Sequence, residues 1–166
     1  MSVTVRARHE YRQPIARVWA AFSDPEFYQA KFEGIGHRNV EVISSENDDD
    51  GFTIEVSRQV PLDVPGFLKN FLGEWNVLLQ NEHWRAGAGG VYTNQLEIEA
   101  RGVPAVMTGT MKLSAAGKKG CVNEVAITIR ASVPLIGGKL EEFVSRDTEA
   151  TLEAEYDFIR EYLDGR

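Results

Sequence analysis

The segment from about Ile136 to Leu163 constrains the fold more than any other stretch of the chain. At about 100° per residue, Leu140, Val144, Thr148, Thr151, Glu155, Phe158, Ile159 and Tyr162 fall on one side. Glu142, Arg146, Glu149, Glu153, Asp157 and Arg160 fall on the other. The pattern predicts one long amphipathic helix, whose apolar stripe must be covered by a partner layer. The stripe is apolar at both ends but carries Thr148, Thr151 and Glu155 at its inward midpoint, where a dry core would prefer Leu or Ile. That polarity points to a space beneath the helix that holds water or a ligand.

The chain before it supplies the covering layer. Residues 2–11 alternate, with Val3, Val5, Ala7, His9 and Tyr11 on one face, which predicts a half-buried strand. Pro14 opens a short helix carrying Ile15, Val18, Trp19 and Phe22. Ser23-Asp24-Pro25 ends it and caps a second, with Phe27, Tyr28, Lys31 and Phe32 at helical spacing, ending at Gly34. Strands follow over 38–46 and 52–60 around an Asn47–Gly51 turn, then over 74–85, 91–100, 105–113 and 121–133. Between the third and fourth strands, Pro61, Pro65, Gly66 and Gly73 break the alternation, and Phe67, Leu68, Phe71 and Leu72 predict about two helical turns. The expected architecture is α+β: a strongly curved antiparallel sheet of six or seven strands wrapped on the C-terminal helix, with two short helices after the first strand.

The sequence length of 166 residues suits one domain spanning 1–166, and 43% hydrophobic residues are enough for a sizeable core. A formal charge of -7 with no basic run opposes attraction to nucleic acid or anionic lipid. The single cysteine, Cys121, excludes an internal disulfide and suits a reducing cytoplasm, and no apolar run has the length of a signal peptide core or a membrane span.

Three segments together resemble the START-like superfamily, also called the SRPBCC or helix-grip fold. They are Pro14-Ile15-Ala16-Arg17-Val18-Trp19, Ser23-Asp24-Pro25, and Pro134-Leu135-Ile136-Gly137-Gly138-Lys139-Leu140-Glu141. The likeness covers essentially the whole chain and is nearest to a bacterial branch of unassigned function. It implies a deep cavity between sheet and helix, used elsewhere for lipids, sterols, polyketides or plant hormones. Some relatives are cyclases or dehydratases and others bind proteins. Their catalytic residues find no position-by-position match here, so none is assigned.

The residues themselves offer few chemical signals. His9, His37 and His83 show no metal-ligand spacing, and no nucleotide fingerprint or nucleophile motif follows a strand, so no metal and no cofactor are expected. The glycine-rich AGAGG reads as a hairpin turn, and Cys121 as a small packed side chain. Polar groups on apolar faces are the strongest candidates. Arg58 stands among Phe52, Ile54, Val56 and Val60, and Glu155 near the centre of the helix stripe; they form a buried ion pair, snorkel to the barrel mouth, or make a ligand-recognition site. Tyr92, Asn94, Thr148 and Thr151 carry the same ambiguity. Met107 and Met111, with Trp75 and Phe143 as neighbours, suit either an adaptable pocket or ordinary core. Phe67, Leu68, Phe71 and Leu72 form either a lid or a fixed plug.

The leading expectation is a hydrophobic or amphipathic small-molecule ligand (lipid-, polyketide- or isoprenoid-like) held between the sheet and the helix. Two alternatives are a protein-interaction or chaperone-associated domain without a ligand, and a cyclase- or dehydratase-type enzyme using Glu155 with Arg58 or Tyr92.

Overall fold

A computed structural model describes residues 2–165. Its element order is β1 (Val3–Tyr11), α1 (Ile15–Phe22), α2 (Pro25–Gly34), β2 (Arg38–Asp48), β3 (Gly51–Pro61), β4 (Trp75–Ala86), β5 (Tyr92–Ala100), β6 (Ala105–Ala115), β7 (Cys121–Ala131) and α3 (Gly137–Asp164). The strands make one antiparallel sheet in the order β1-β7-β6-β5-β4-β3-β2. This is the expected helix-grip architecture, with seven strands and three α-helices among the described residues.

Local chemistry accounts for the turns that shape it. The Asp24 side chain accepts from the Glu26 amide at 3.0 Å and Pro25 occupies the first turn, which starts α2 sharply after α1. In the β2–β3 hairpin one Asp48 carboxylate oxygen accepts from the amides of Asp50 and Gly51 at 2.8 and 2.9 Å. Gly89 and Gly90 take φ of 75° and 73°, the left-handed region that glycine enters freely, and so turn β4 into β5. The segment between β3 and β4 forms a single 3-10 turn at Gly66–Leu68, shorter than the two helical turns expected. Prolines at 61 and 65 and glycines at 66 and 73 leave too short an uninterrupted run for more.

Inward and outward residues alternate along β3 without a break, so Phe52, Ile54, Val56, Arg58 and Val60 are all buried. The helix α3 packs on β1, β7 and α2. Its most buried line runs through Leu140, Glu141, Ser145, Thr148, Leu152, Ile159 and Leu163, while Val144, Thr151, Glu155, Phe158 and Tyr162 are half-buried. The helix is therefore rotated from the expected stripe toward Leu152, which meets the β5–β7 core. Thr151 and Glu155 stand on its flank, over the rest of the concave face. Among the described residues no helix is long and apolar enough to cross a membrane.

Candidate functional site

The flank of α3 that carries Phe143, Asp147, Thr151 and Glu155 faces a cavity of about 70 Å³ over the concave face of β3–β7. Leu78, Ile98, Ala105, Met107 and Val144 make most of its wall apolar, and Leu72 from the β3–β4 segment contributes beside them. His37, Arg58, Asp147 and Glu155 line it as well, so the space is amphipathic. The helix contributes less polarity than its sequence suggests. Thr148 Oγ1 donates to the Val144 carbonyl at 2.8 Å and Ser145 Oγ to that of Glu142 at 2.8 Å, bonds that tie both hydroxyls to their own helix.

A chain of cations and rings sets the charged part of the wall. Lys31 of α2 pairs with Glu155 at 2.9 Å, their side chains only 7% and 14% exposed. Burial alone would raise the Glu155 carboxyl; the Lys31 ammonium, its hydrogen bond and the Arg58 charge outweigh that and hold it below the ordinary glutamate value. Arg58 is 3% exposed, and burial lowers it to about 10 against the upward pull of Glu155, Glu82 and Asp147. Its Nε donates to His37 Nδ1 at 3.1 Å, which puts the imidazole proton on Nε2. Burial, and then the Arg58 charge, lowers His37 to about 4, so the ring is neutral at physiological pH. The Phe32 ring lies against both cations, with the Arg58 guanidinium carbon 4.1 Å and Lys31 Nζ 4.6 Å from its centroid. Asp147, desolvated on the helix flank, rises to about 6 despite the pull of Arg58.

Glu155, Met111 and Leu152 also border a second, smaller space of about 30 Å³, lined by His9, Tyr11, Asn123 and Lys31 among others. Tyr11 Oη and Asn123 Oδ1 are buried there without a hydrogen-bond partner. Its polarity and size suit a single water. Above it the Glu82 carboxyl is bound by neutral donors alone: Asn94 Nδ2 at 2.9 Å, Trp84 Nε1 at 3.0 Å and Gln80 Nε2 at 2.6 Å. Tyr28 Oη lies 3.1 Å from the same group, and burial with the Glu82 charge lifts this phenol well above its ordinary value.

Of the residues singled out in the sequence, Arg58, Met107, Met111, Phe143, Thr148, Thr151 and Glu155 all border the larger cavity. Three others do not. Trp75, at the start of β4, is 36% exposed, and the Arg38 guanidinium stacks 3.7 Å from its ring centroid. Tyr92 stacks on Trp19 with centroids 4.0 Å apart, because α1 covers that end of β5. Asn94 is spent on Glu82 and on the His83 amide. Nor do Arg58 and Glu155 form a bonded pair: α2 inserts Lys31 as the partner of Glu155, and His37 takes the Arg58 Nε. In the β3–β4 segment, Leu72 reaches the cavity, Leu68 is buried behind it with Leu140 and Val103, Phe71 is half-buried, and Phe67 is exposed beneath Lys139. The sequence reading missed Lys31, His37, Glu82 and Tyr11 as site neighbours. A lysine on an otherwise aromatic helix face, and Gln80 and Glu82 sharing the parity of Trp84, were the available signals.

The family described as "Protein of unknown function (DUF2505)" matches residues 6–163. A search of curated proteins gives no match. Among solved structures, the TTHA0849 protein of Thermus thermophilus superposes with a TM-score of 0.71 at 18% identity, covering 98% of each chain. The Zhui aromatase/cyclase of Streptomyces sp. R1128 gives 0.62 at 14% identity, over 96% of this chain and 94% of the other. A START superfamily protein of Mycobacterium smegmatis gives 0.57 at 12% identity, over 96% and 98%. Likenesses at these identities show the fold, which is START-like.

Proposed function

We propose that this chain, which belongs to the DUF2505 family, binds a hydrophobic or amphipathic small molecule between its sheet and α3. The observation that carries the reading is the amphipathic cavity itself, apolar along β4–β6 and charged beside α2. At about 70 Å³ the space is about half the ~150 Å³ that accommodates benzene in an engineered protein cavity. An occupant of lipid, polyketide or isoprenoid size therefore has to part the walls. Met107 and Met111 are suited to that, being unbranched and able to repack. Phe143 and the segment carrying Phe67, Leu68, Phe71 and Leu72, which reaches the cavity through Leu72, lie outside the sheet, so their displacement as a lid would break no ladder of strand hydrogen bonds. The fold's use as an aromatase/cyclase by the Streptomyces neighbour is consistent with such a space.

Catalysis draws less support. Glu155 is committed to Lys31 and held ionised, so it is no proton donor at neutral pH, and Tyr92 is packed under α1. For protein docking, Trp84 is buried, and the exposed rings of Trp75 and Phe67 each carry a cationic side chain.

Two measurements test the reading. Native mass spectrometry of protein purified without added ligand is expected to show a discrete mass above that of the denatured chain. Decan-1-ol titrated into protein with 13C-methyl methionine is expected to shift the Met107 and Met111 resonances saturably. Absence of both an added mass and a saturable shift would overturn the proposal.

A further inference from the structure

The guanidinium of Arg58 is the most exacting group in the cavity wall. It is buried at 3% exposure, its Nε is spent on a neutral imidazole, and its Nη1 has no hydrogen-bond partner. A buried donor on a charged group is costly to leave unpaired, and an Arg presents its donors in a fixed planar fork. Among the described residues no carboxylate hydrogen-bonds to it. The acids whose charge reaches it are Glu155, Glu82 and Asp147. Glu155 belongs to Lys31, and Glu82 is bound by Gln80, Trp84 and Asn94. Asp147, which burial raises to about 6, is still ionised at neutral pH but makes no hydrogen bond to the guanidinium. The cations facing the same place are Lys31, already paired, and His37, which stays neutral. The wall thus offers one strong, unfilled donor beside an apolar slot.

We infer that the polar end of the occupant is a carboxylate, bound by Arg58 Nη1 while its hydrocarbon part lies along Leu78, Ile98, Met107 and Phe143. The inference rests on the proposed cavity function and names the chemical class of its ligand. An alcohol or ketone also offers an acceptor oxygen, but a carboxylate brings a full opposite charge to the guanidinium and two acceptor oxygens that match its fork. It also supplies the counter-charge that the site's own acids give only at a distance. The Phe32 ring 4.1 Å from the guanidinium carbon and the Nε bond to His37 hold the fork in place for a planar anion.

The test compares three probes with the same eight-carbon chain (octanoate, octan-1-ol and octylamine), followed by calorimetry and by the Arg58 side-chain 15N resonance of the wild-type protein. Octanoate is expected to bind about tenfold or more tightly than octan-1-ol, to shift the Arg58 resonance, and to leave octylamine the weakest of the three. Arg58→Met should remove the preference, so that octanoate binds the variant no more tightly than octan-1-ol does. If Arg58→Met does not fold, the wild-type selectivity and the Arg58 resonance decide the matter alone. Octan-1-ol or octylamine binding as tightly as octanoate would overturn the carboxylate assignment and leave the cavity function standing. Octanoate preferred without any change at Arg58 would overturn the assignment to this residue. None of the three binding would remove both.

Discussion

The Lys31–Glu155 pair joins α2 to α3 across the cavity wall, and removing one member gives a sharp test of how the wall is held. At 2.9 Å, with side chains 7% and 14% exposed, both charges are sheltered from solvent. Glu155→Gln leaves the Lys31 ammonium buried among Phe27, Tyr28 and Phe32 with a neutral amide in place of its counter-charge. Stranding one charge of a buried pair costs about 3–5 kcal/mol. In a domain of this length each kcal/mol moves the melting temperature by roughly 2–4 °C, so Tm should fall by about 6–20 °C. Adding Lys31→Met removes the stranded charge and should return more than about 1 kcal/mol. The pH dependence has a defined sign. Glu155 is held below its ordinary value, so the folded state carries fewer protons than the unfolded one in that range. The pair's contribution is present in full above about 4.5, the ordinary glutamate value, and is lost as pH falls through the depressed one. Urea melts of wild type, Glu155→Gln and the double variant at pH 7 measure the energies, and a wild-type series at falling pH measures the sign. A loss below about 1 kcal/mol for Glu155→Gln, or a double variant less stable than that single one, would refute the reasoning.

Three further outcomes are expected. Asp147, raised to about 6, takes up a proton in the folded state before the unfolded one does, so its charge costs stability at neutral pH and that cost fades as pH falls toward 3.8. Asp147→Asn should therefore be more stable than wild type at pH 7.5 and equal to it near its ordinary value of 3.8, as read from urea midpoints; an equal difference at both pH values would contradict this. Glu82→Leu leaves the donors of Gln80, Trp84 and Asn94 buried without an acceptor and should cost more than about 3 kcal/mol by chemical denaturation. Gly51→Ala would put a Cβ 1.9 Å from the Trp84 carbonyl oxygen, whereas one at Gly66 meets nothing within 4 Å. Parallel thermal melts should show a marked loss for the first and little change for the second.

The sequence carried the architecture because each element announced itself locally. β3 alternates without error, Asp24-Pro25 caps α2, and the helical period runs unbroken through α3. It also placed Arg58 and Glu155 on inward positions, where both are found. It left their partners open, because partner choice depends on how α2 is laid across the sheet. Periodicity gives the face of Lys31 but not the element it meets. Tyr92 and Asn94 point inward as their parity requires, yet α1 and Glu82 had already claimed them, a competition between elements distant in sequence. The helix rotation toward Leu152 was hidden for a similar reason. A wide stripe with threonines on one flank does not say which flank rests on β1 and β7 and which overlooks open space.

The pairing of β1 with β7 has a consequence for how the chain is made. Val3 lies opposite Ile129 and Tyr11 opposite Cys121, so the first of the seven strands to be synthesised has the last as its neighbour in the sheet. During translation β2 to β6 can form their ladders by consecutive hairpins as they emerge, while β1 waits with an apolar face and an open edge. The α3 helix, which packs on these same two strands, arrives later still. Long-range closure of this kind is slow compared with hairpin formation. Ribosome-bound chains ending before β7 should therefore leave β1 open to proteases and chaperones, and the native sheet should close only once β7 and α3 have emerged.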